Sequence, residues 1–377
     1  MEINTIKSDA GMKWEMVRLG DVCDIKNGRD HKKVNNPNGL YPIIGSGGVM
    51  GFANDFLCEG NATIIGRKGS INNPIFIDSK FWHVDTAFAL CTQKDLDSKF
   101  LYYFCRTYNF EKHNKATTLP SLTKTDLLEI QIPLPPLPIQ KRIAQILDAA
   151  DALKRKDQQL LQKYDELAQA IFIDMFGDPV KNEKGWVKVK LCELMSIVRG
   201  GSPRPIDKFL GGTYPWIKIG DATKGDDVYL NSTKEYIIKE GLTKTRLLPA
   251  GSLIFANCGV SLGFARIITF EGCIHDGWLA FSDFDEKRIN KFFLLKALNS
   301  ITEYFRNSAP EGTQPNLNTG IIKDFELILP PLVLQEKFEN ISESFKLSKN
   351  NVEQSCDFTN SFFNSLIHKA FKGELVA

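Results

Sequence analysis

Hydrophobic residues recur at helical spacing along one stretch in the middle of the chain, from Leu134 to Asp178. The apolar positions lie three, four or seven residues apart, as on one face of an amphipathic helix: Ile143, Ile146, Ala150, Leu153, Leu160, Tyr164, Leu167 and Ile171. The pattern assigns to the water-facing side Lys154, Arg155, Lys156, Asp157 and Glu166. Prolines before the stretch and Gly177 after it are typical helix boundaries. At 1.5 Å per residue the predicted helix is about 60 Å long, and its narrow apolar stripe requires a partner.

A second stretch with the same pattern lies at the other end of the chain, at residues 329–377. A single shift, without a gap, matches Pro135, Pro136, Leu137 and Gln140 with Pro330, Pro331, Leu332 and Gln335. Two helices with matching frames in one chain are expected to pack against each other as a long antiparallel pair.

The repeat extends beyond the helices. Residues 14–28 (WEMVRLGDVCDIKNG) align with residues 186–200 (WVKVKLCELMSIVRG), and residues 118–137 align with residues 313–332. The shift changes between these blocks, so loops of different length intervene. The chain is therefore a tandem duplication of a globular domain followed by a long helix. The predicted boundaries are an extension at 1–11, a domain at 12–133, a helix at 134–178, a domain at 179–328 and a helix at 329–377.

Within each domain, short runs of β-branched and aromatic residues predict strands, and two runs have helical spacing. The predicted strands are 62–65, 74–77, 252–255 and 264–268, and the predicted helices are 99–106 and 289–305. Glycine-rich loops separate the strands and let the backbone turn tightly or approach a ligand. The predicted fold class is α+β, with two mixed domains separated by two long antiparallel coiled-coil helices.

Composition adds few constraints. The 377 residues are 43% hydrophobic, enough for more than one core, and the net charge of +2 is no evidence for a nucleic-acid partner. The 8 cysteines are scattered without metal-ligand spacing, which is typical of reduced thiols in a cytoplasmic protein. No signal peptide or long apolar run is evident, so a membrane location is not expected.

The repeated blocks carry a family resemblance. A WxxVxLGD-like opening, a glycine-rich middle, a (T/S)xPxLxxxxLxxxxIPLPPLxxQ block and a long helix each occur twice between Trp14 and Ala377. In this order they resemble the DNA-specificity subunit of type I restriction-modification systems. The resemblance implies two target-recognition domains with pseudo-two-fold symmetry, each reading one half of a bipartite DNA site. It also implies that the helices separate the domains and dock methyltransferase subunits.

The same resemblance implies the partners and cofactors. The chain is expected to be a non-enzymatic subunit that binds double-stranded DNA and brings adenine-methyltransferase subunits, and in some systems restriction subunits, to the site. No cofactor is expected in this chain. S-adenosylmethionine, ATP and Mg²⁺ are expected on the partner subunits.

Candidate DNA contacts follow from the chemistry of the loops. Lys, Arg and backbone N–H groups suit phosphates, whereas Arg, Lys, Asn, Gln, Ser and Thr read base edges. The candidates in the first domain are Arg29, His31, Lys32, Lys33, Ser46, Arg67, Lys68, Ser70, Asn72 and Thr118. Those in the second are Arg199, Ser202, Arg204, Lys218, Asn257, Ser261, Gln314 and Asn316. Any one of them could instead be an ordinary surface residue, and Thr118 could belong to the framework. Their clustering in the same loops of both halves favours the loops.

Catalytic alternatives rest on weaker patterns. An adenine methyltransferase would need an Asn/Asp-Pro-Pro-aromatic tetrapeptide, and residues 72–75 (NNPI) lack the second proline and the aromatic residue. Acidic residues such as Asp276, or the segment 283–287, match a metal-dependent nuclease only loosely. His83 and His275 invite a general-base role, but their recurrence in both halves is better explained by the fold. No catalytic or metal-ligating residue is therefore predicted. An unrecognised nuclease or methyltransferase, and an adaptor that does not read DNA, stay open as alternatives.

Overall fold

The computed structural model describes residues 14–114, 118–223, 225–259, 261–308 and 316–375. It divides into two compact units, of which unit 1 comprises Met1–Leu160 with Val352–Ala377 and unit 2 comprises Leu161–Asn351. Each unit therefore holds one globular domain together with part of each of two long helices. The predicted extension at residues 1–11 lies outside the described residues.

In its described residues, the domain of unit 1 has three small sheets, three short α-helices and a 3₁₀ turn at Phe110–His113. Its strands are β1 (Met16–Arg18), β2 (Cys23–Asn27), β3 (Tyr41–Gly45), β4 (Gly48–Ala53), β5 (Ala62–Gly66), β6 (Ile75–Ile77), β7 (Trp82–His83), β8 (Ala87–Thr92) and β9 (Gln131–Pro133). Its helices are α1 (Leu19–Val22), α2 (Ser98–Thr107) and α3 (Lys124–Leu128). The sheets have the orders β2-β8-β5-β6, β4-β3-β7 and β1-β9. The main core lies between the first sheet and α2.

The two long helices follow the two proline blocks. Helix α4 is Leu137–Phe176 and helix α8 is Leu332–Lys372, with 40 and 41 residues.

The domain of unit 2 follows the same plan and has two more strands among its described residues. Its strands are β10 (Lys188–Lys190), β11 (Ser196–Arg199), β12 (Leu210–Ile217), β13 (Tyr229–Leu230), β14 (Glu235–Ile237), β15 (Arg246–Leu248), β16 (Leu253–Ala256), β17 (Ala265–Ile268), β18 (Gly272–Ile274), β19 (Trp278–Ser282) and β20 (Glu326–Ile328). Its helices are α5 (Lys291–Ser300), α6 (Thr302–Ser308) and α7 (Thr319–Lys323). The sheets have the orders β11-β19-β16-β17-β13, β14-β12-β18-β15 and β10-β20.

The two domains share one topology. The order β2-β8-β5-β6 in unit 1 corresponds to β11-β19-β16-β17 in unit 2, and β1-β9 corresponds to β10-β20. The parallel pair β3–β7, which aligns Ile43 with Trp82, corresponds to the parallel pair β12–β18, which aligns Trp216 with Cys273. The predicted tandem duplication is therefore a duplication of fold.

A buried glutamine joins each domain to its long helix. Gln140 is 0% exposed, and its Nε2 donates to the carbonyl oxygens of Asp95 at 2.9 Å and Pro135 at 2.8 Å. Gln335 is also 0% exposed and donates to the carbonyl oxygen of Pro330 at 2.7 Å. The glutamine that follows both proline blocks in the sequence therefore fixes the start of the helix against the domain.

The helices contact each other within each unit. In unit 2, the rings of Phe172 and Phe338 lie 5.4 Å apart, and those of Tyr164 and Phe345 lie 6.1 Å apart. In unit 1, the carboxylate of Asp157 accepts hydrogen bonds from Ser355 at 3.0 Å and from Thr359 at 3.1 Å. Asp157 was predicted to face water, and this assignment is wrong because its carboxylate bridges to the other helix.

The predicted apolar stripe of α4 is also wrong in part. Ile143 and Ala150 are buried, but Leu153, Leu160 and Leu167 are 46%, 42% and 45% exposed. These three leucines are spaced by seven residues, and such positions drift by about 20° per heptad around a straight helix with 3.6 residues per turn. A stripe that begins in the core therefore reaches the surface.

The short elements match their predicted positions with one exception. Residues 289–305 were predicted as one helix, but the structure has α5 and α6, with a break at Ile301. The backbone of Ile301 has φ −114° and ψ 23°, outside the helical region, and its side chain is buried. The hydroxyl of Thr302 donates to the carbonyl oxygen of Gly263, which ties the break to the loop before β17.

Candidate nucleic-acid interface

In each domain the loop after the first core strand passes directly over a second loop. A Cβ atom on Gly28 would lie 1.9 Å from the carbonyl oxygen of Val84, and one on Gly200 would lie 2.3 Å from the carbonyl oxygen of His275. Only glycine fits such a close backbone approach. The matched glycines therefore bring the same two loops together in both domains.

In unit 1 the basic loop at residues 66–70 is held on two sides. The backbone N–H of Arg67 donates to Thr86 at 2.8 Å, and the carbonyl oxygen of Arg67 accepts from Leu122 at 2.9 Å. The backbone N–H of Gly69 donates to Pro120 at 3.0 Å. The loop is thus fixed beside the segment that contains the candidate Thr118.

The glycine loop between β3 and β4 lies against the same basic loop. A Cβ atom on Gly66 would lie 3.1 Å from the Cβ atom of Ser46, and one on Gly69 would lie 3.9 Å from its hydroxyl oxygen. The backbone N–H of Arg29 donates to His83 at 3.0 Å, next to Val84. Five segments from different parts of the sequence, around residues 28–29, 46, 66–70, 83–86 and 118–122, therefore form one surface.

Most candidates of unit 1 lie on this surface. The exposed ones are Arg29, Lys32, Lys33, Arg67, Lys68, Ser70, Asn72 and Thr118, and the half-buried ones are His31 and Ser46. Asn72 has a structural role, because its side-chain oxygen accepts from the backbone N–H of Phe110 at 2.7 Å. Its amide therefore closes the loop before the short helical turn at Phe110.

In unit 2 three of the candidates, Arg199, Ser202 and Arg204, contact Asp276. Its Oδ1 accepts from the hydroxyl of Ser202 at 2.8 Å, and its Oδ2 lies 3.5 Å from the guanidinium of Arg204. Its carbonyl oxygen accepts from Nε of Arg199 at 2.7 Å. The imidazole of His275 lies against the same carboxylate, with Nε2 at 3.0 Å from Oδ1.

The surroundings keep this carboxylate ionised and the imidazole neutral. Burial raises the pKa of Asp276, but the hydrogen bond from Ser202 and the positive charges of Arg199 and Arg204 outweigh it and hold the pKa below its ordinary value. Burial lowers the pKa of His275. The Nδ1 of His275 accepts from the backbone N–H of Gly277 at 2.9 Å, so Nε2 carries the proton that faces Asp276.

The remaining candidates of unit 2 differ in accessibility. Asn257 is 0% exposed, and its Nδ2 donates to the carbonyl oxygen of Leu317 at 3.1 Å, so this side chain joins two loops inside the domain. Lys218 is half-buried and pairs with Glu235. Ser261 is half-buried and Asn316 is exposed. The candidate Gln314 lies outside the described residues.

The site also contains residues that were not among the sequence-based candidates. Arg246 donates through Nε to the carbonyl oxygen of Arg199 at 3.2 Å. It reaches the site because β15 pairs with β18, which aligns Arg246 with Ile274. This pairing joins residues far apart in the sequence, so no local pattern indicated it. Asp276 stood out in the sequence only as a poor nuclease match, and its role depends on contacts that the sequence does not show.

The catalytic patterns do not form a reaction centre in the described part of the chain. His83 is 0% exposed, and its Nε2 lies 3.3 Å from the carbonyl oxygen of Lys26. Burial lowers the pKa of His83, which is typical of a neutral core histidine. Within the described ranges, no group of three or more His, Cys, Asp or Glu side chains could hold a metal ion. The helices among these residues also include none that combines the length and apolar character needed to span a bilayer.

The chain matches a known family along most of its length. A model of the type I restriction modification DNA specificity domain matches it twice, at residues 12–163 and 183–353. The MjaIX specificity subunit of Methanocaldococcus jannaschii is 27% identical over 307 residues, covering 74% of this chain and 69% of that protein. The EcoDI specificity subunit of Escherichia coli is 22% identical over 402 aligned residues, covering 97% of this chain and 89% of that protein.

A solved structure has the same fold. The S subunit of a type I restriction-modification system from M. genitalium superposes with a TM-score of 0.60 at 18% identity, covering 97% of this chain and 98% of that one. The two domains share one topology, and each presents a loop surface that carries basic side chains. The chain belongs to the family of type I restriction-modification DNA-specificity subunits.

This membership confirms the function predicted from the repeated blocks. The protein recognises DNA in a sequence-specific way and directs the restriction-modification complex to its site. It is a non-catalytic component, so the interpretation as an unrecognised nuclease or methyltransferase is not supported. The interpretation as an adaptor that does not read DNA is likewise not supported.

Proposed function

We propose that this chain reads a bipartite site in double-stranded DNA, with one half-site for each domain. The observation that carries the proposal is the pair of loop surfaces, one in each unit. The two surfaces are built on equivalent strands of the two domains but are lined by different side chains. Basic loops in unit 1 and the arginine cluster around Asp276 in unit 2 offer different hydrogen-bonding groups. Because base readout depends on those groups, the two half-sites differ in sequence.

We propose the following DNA contacts. In the first domain they are Arg29, His31, Lys32, Lys33, Ser46, Arg67, Lys68, Ser70 and Thr118. In the second they are Arg199, Ser202, Arg204, Lys218, Ser261 and Asn316, together with Gln314 on the basis of the sequence alone. Asn72 and Asn257 are better explained as residues that shape the loops, because their amides bond to the backbone of Phe110 and Leu317.

The two long helices would set the unread gap between the half-sites. We propose that α4 and α8 form an antiparallel coiled coil, with the domain boundaries predicted from the sequence and the two halves related by a pseudo-two-fold axis. The contacts within each unit support this arrangement. In unit 2 the ring partner of Tyr164 is Phe345 and that of Phe172 is Phe338, so the numbering falls along one helix as it rises along the other.

The partners would be methyltransferase subunits that carry S-adenosylmethionine and methylate adenine at N6. ATP and Mg²⁺ would serve a restriction subunit in systems that include one. Exposed apolar residues on the two helices support docking of other subunits, since such patches commonly mark interfaces. These residues are Leu153, Leu160, Leu167, Phe358 and Phe362.

The test is to co-express the chain with the methyltransferase subunit encoded beside it and to map modified adenines by long-read sequencing. A motif of two short defined halves around a fixed unread gap is the expected result. Modification at a continuous, undivided motif would contradict the two-domain readout. A soluble complex that yields no motif would contradict sequence recognition itself.

A further inference from the structure

The side chain of Arg199 is exposed but is held by a hydrogen bond to another loop. It ends β11, and its Nε donates to the carbonyl oxygen of Asp276 at 2.7 Å. Its own carbonyl oxygen accepts from Nε of Arg246 at 3.2 Å. Both the backbone and the head group are thus held by other parts of the domain. With Nε engaged, the edge formed by Nη1 and Nη2 is the one left to meet a ligand.

The group that holds Arg199 is itself anchored. The carboxylate of Asp276 accepts from the hydroxyl of Ser202, and the backbone N–H of Asp276 lies 3.3 Å from the same oxygen. His275 contacts the carboxylate through Nε2 and binds the N–H of Gly277 through Nδ1. Asp276 is therefore fixed by Ser202 of a second loop and by its own neighbour His275, and so is the carbonyl oxygen that orients the arginine.

We propose that Arg199 reads a guanine in the half-site of the second domain and that Asp276 is the residue that positions it. The inference rests on the proposed function and adds the identity of a base. The paired Nη donors of an arginine match the O6 and N7 acceptors of guanine in the major groove. A bidentate base contact depends on the geometry of the two donors, whereas a phosphate contact carries no sequence information directly. Arg204 is 80% exposed and lies 3.5 Å from Asp276, which suits a phosphate contact better.

The fold does not require an arginine at this position. In the sequence alignment that matches Gly28 with Gly200, Asn27 of the first domain corresponds to Arg199 of the second. Both residues are exposed at the end of a strand with the same neighbours in the sheet order. The position holds a short amide in one domain and a long guanidinium in the other, so packing within the shared fold does not dictate an arginine here.

The experiment uses the complex of the full chain with its methyltransferase subunits. The motif of the unaltered complex is first mapped by long-read sequencing. Binding is then measured by fluorescence anisotropy on a duplex with that motif and on duplexes that change one base pair at a time. The variants are Arg199→Ala, Arg199→Lys and Asp276→Asn. The matched control is Arg288→Ala, which removes another exposed arginine of the same domain that lies 4.0 Å from an aspartate, Asp285.

The expected result is specific to one base pair. Arg199→Ala abolishes a preference for guanine of roughly 5- to 100-fold at one position of one half-site and leaves the other half-site unchanged. Arg199→Lys keeps part of that preference, since lysine also reaches guanine acceptors. Asp276→Asn weakens discrimination several-fold at the same position without weakening binding to unrelated duplex. Arg288→Ala retains the full motif.

Several results would overturn the inference. A bipartite motif without a guanine in the half-site affected by these variants would contradict base readout by Arg199 and leave the proposed function intact. Equal weakening on every duplex, with the salt dependence reduced by about one charge, would make Arg199 a phosphate contact. If Asp276→Asn weakened base discrimination at a different base pair from the one affected by Arg199→Ala, Asp276 would not be the residue that positions Arg199. A complex without any motif would overturn the proposed function together with this inference.

Discussion

The side-chain oxygen of Gln140 accepts a hydrogen bond from the backbone N–H of Asp97 at 2.8 Å. Asp97 is the N-terminal cap of α2, and its carboxylate accepts in turn from the N–H groups of Lys99 and Phe100. In unit 2, the side-chain oxygen of Gln335 accepts a hydrogen bond from the backbone N–H of Asn290 at 2.8 Å, and Asn290 is the N-terminal cap of α5. In each unit, the long helix and the capped helix of the domain are therefore fixed together by one buried amide.

Replacing Gln140 with alanine should destabilise unit 1. The change leaves the N–H of Asp97 and the carbonyl oxygens of Asp95 and Pro135 without their partner, which costs about 3 kcal/mol. The melting temperature of the purified complex, followed by differential scanning fluorimetry, should fall by several degrees. Gln158→Ala, at an exposed position of α4, is the control and should melt like the unaltered protein.

The pair of arginines around Asp151 predicts a pH-dependent contribution to stability. The Asp151 carboxylate lies 2.8 Å from Arg106 and 2.6 Å from Arg155, and its side chain is 7% exposed. Burial raises the pKa of Asp151, but the hydrogen bonds and charges of both arginines outweigh it and hold the pKa below its ordinary value of 3.8. A lowered carboxyl pKa stabilises the folded state at neutral pH, and this stabilisation is lost as the pH falls through the folded-state pKa.

Asp151→Asn should accordingly lower the melting temperature at pH 7, by an amount that corresponds to roughly 2 kcal/mol. The difference between variant and unaltered protein should shrink below about pH 4. Glu166→Gln, which alters an exposed carboxylate of the same helix, should show no such dependence. A difference that stays constant across this range would show that the charge of Asp151 contributes nothing.

Gly200→Ala should destabilise the second domain through a backbone clash. The new Cβ atom would lie 2.3 Å from the carbonyl oxygen of His275, so one of the two loops has to move, at a cost of about 1–3 kcal/mol. A lower melting temperature is the expected result. Gly220→Ala is the control, because a Cβ atom there meets no other atom within 4 Å. Equal melting temperatures for the two variants would contradict the close approach.

Changing the length of both long helices should change the gap in the motif and nothing else. Matched insertions into α4 and α8 keep the two helices in register and add about 1.5 Å per residue. Long-read sequencing of the methylated genome should then report unaltered half-sites with a longer gap. An unchanged gap would contradict the role of the helices as a spacer, and altered half-sites would show that the insertions disturbed the domains.

The sequence predicted the features that depend on local pattern. The long helices and the repeated proline blocks follow from spacing and from residues such as Pro135 and Gln140, which recur at one fixed shift. The arrangement around Asp276 could not be predicted in this way. Arg246 reaches it through strand pairing, and the burial of Asn257 depends on a loop that returns some 60 residues later.

The exposure of Leu153 shows a different limit. Its spacing fits an apolar stripe. In a straight helix, however, residues seven positions apart drift around the axis, and packing rather than the sequence pattern decides where they leave the core. The candidate DNA-contact loops were located by composition, since glycine with Lys, Arg or Ser is a local signal. Which side chains in those loops are accessible depends on the tertiary structure.

The joint made by Gln140 and Gln335 has a consequence for how such proteins diversify. Every domain atom that these two amides bind belongs to the main chain, in the segments 95–97 and 288–290. These hydrogen bonds therefore do not depend on which side chains occupy positions 95–97 and 288–290. A domain with different side chains but the same backbone path in this segment would offer the glutamine the same hydrogen-bonding partners.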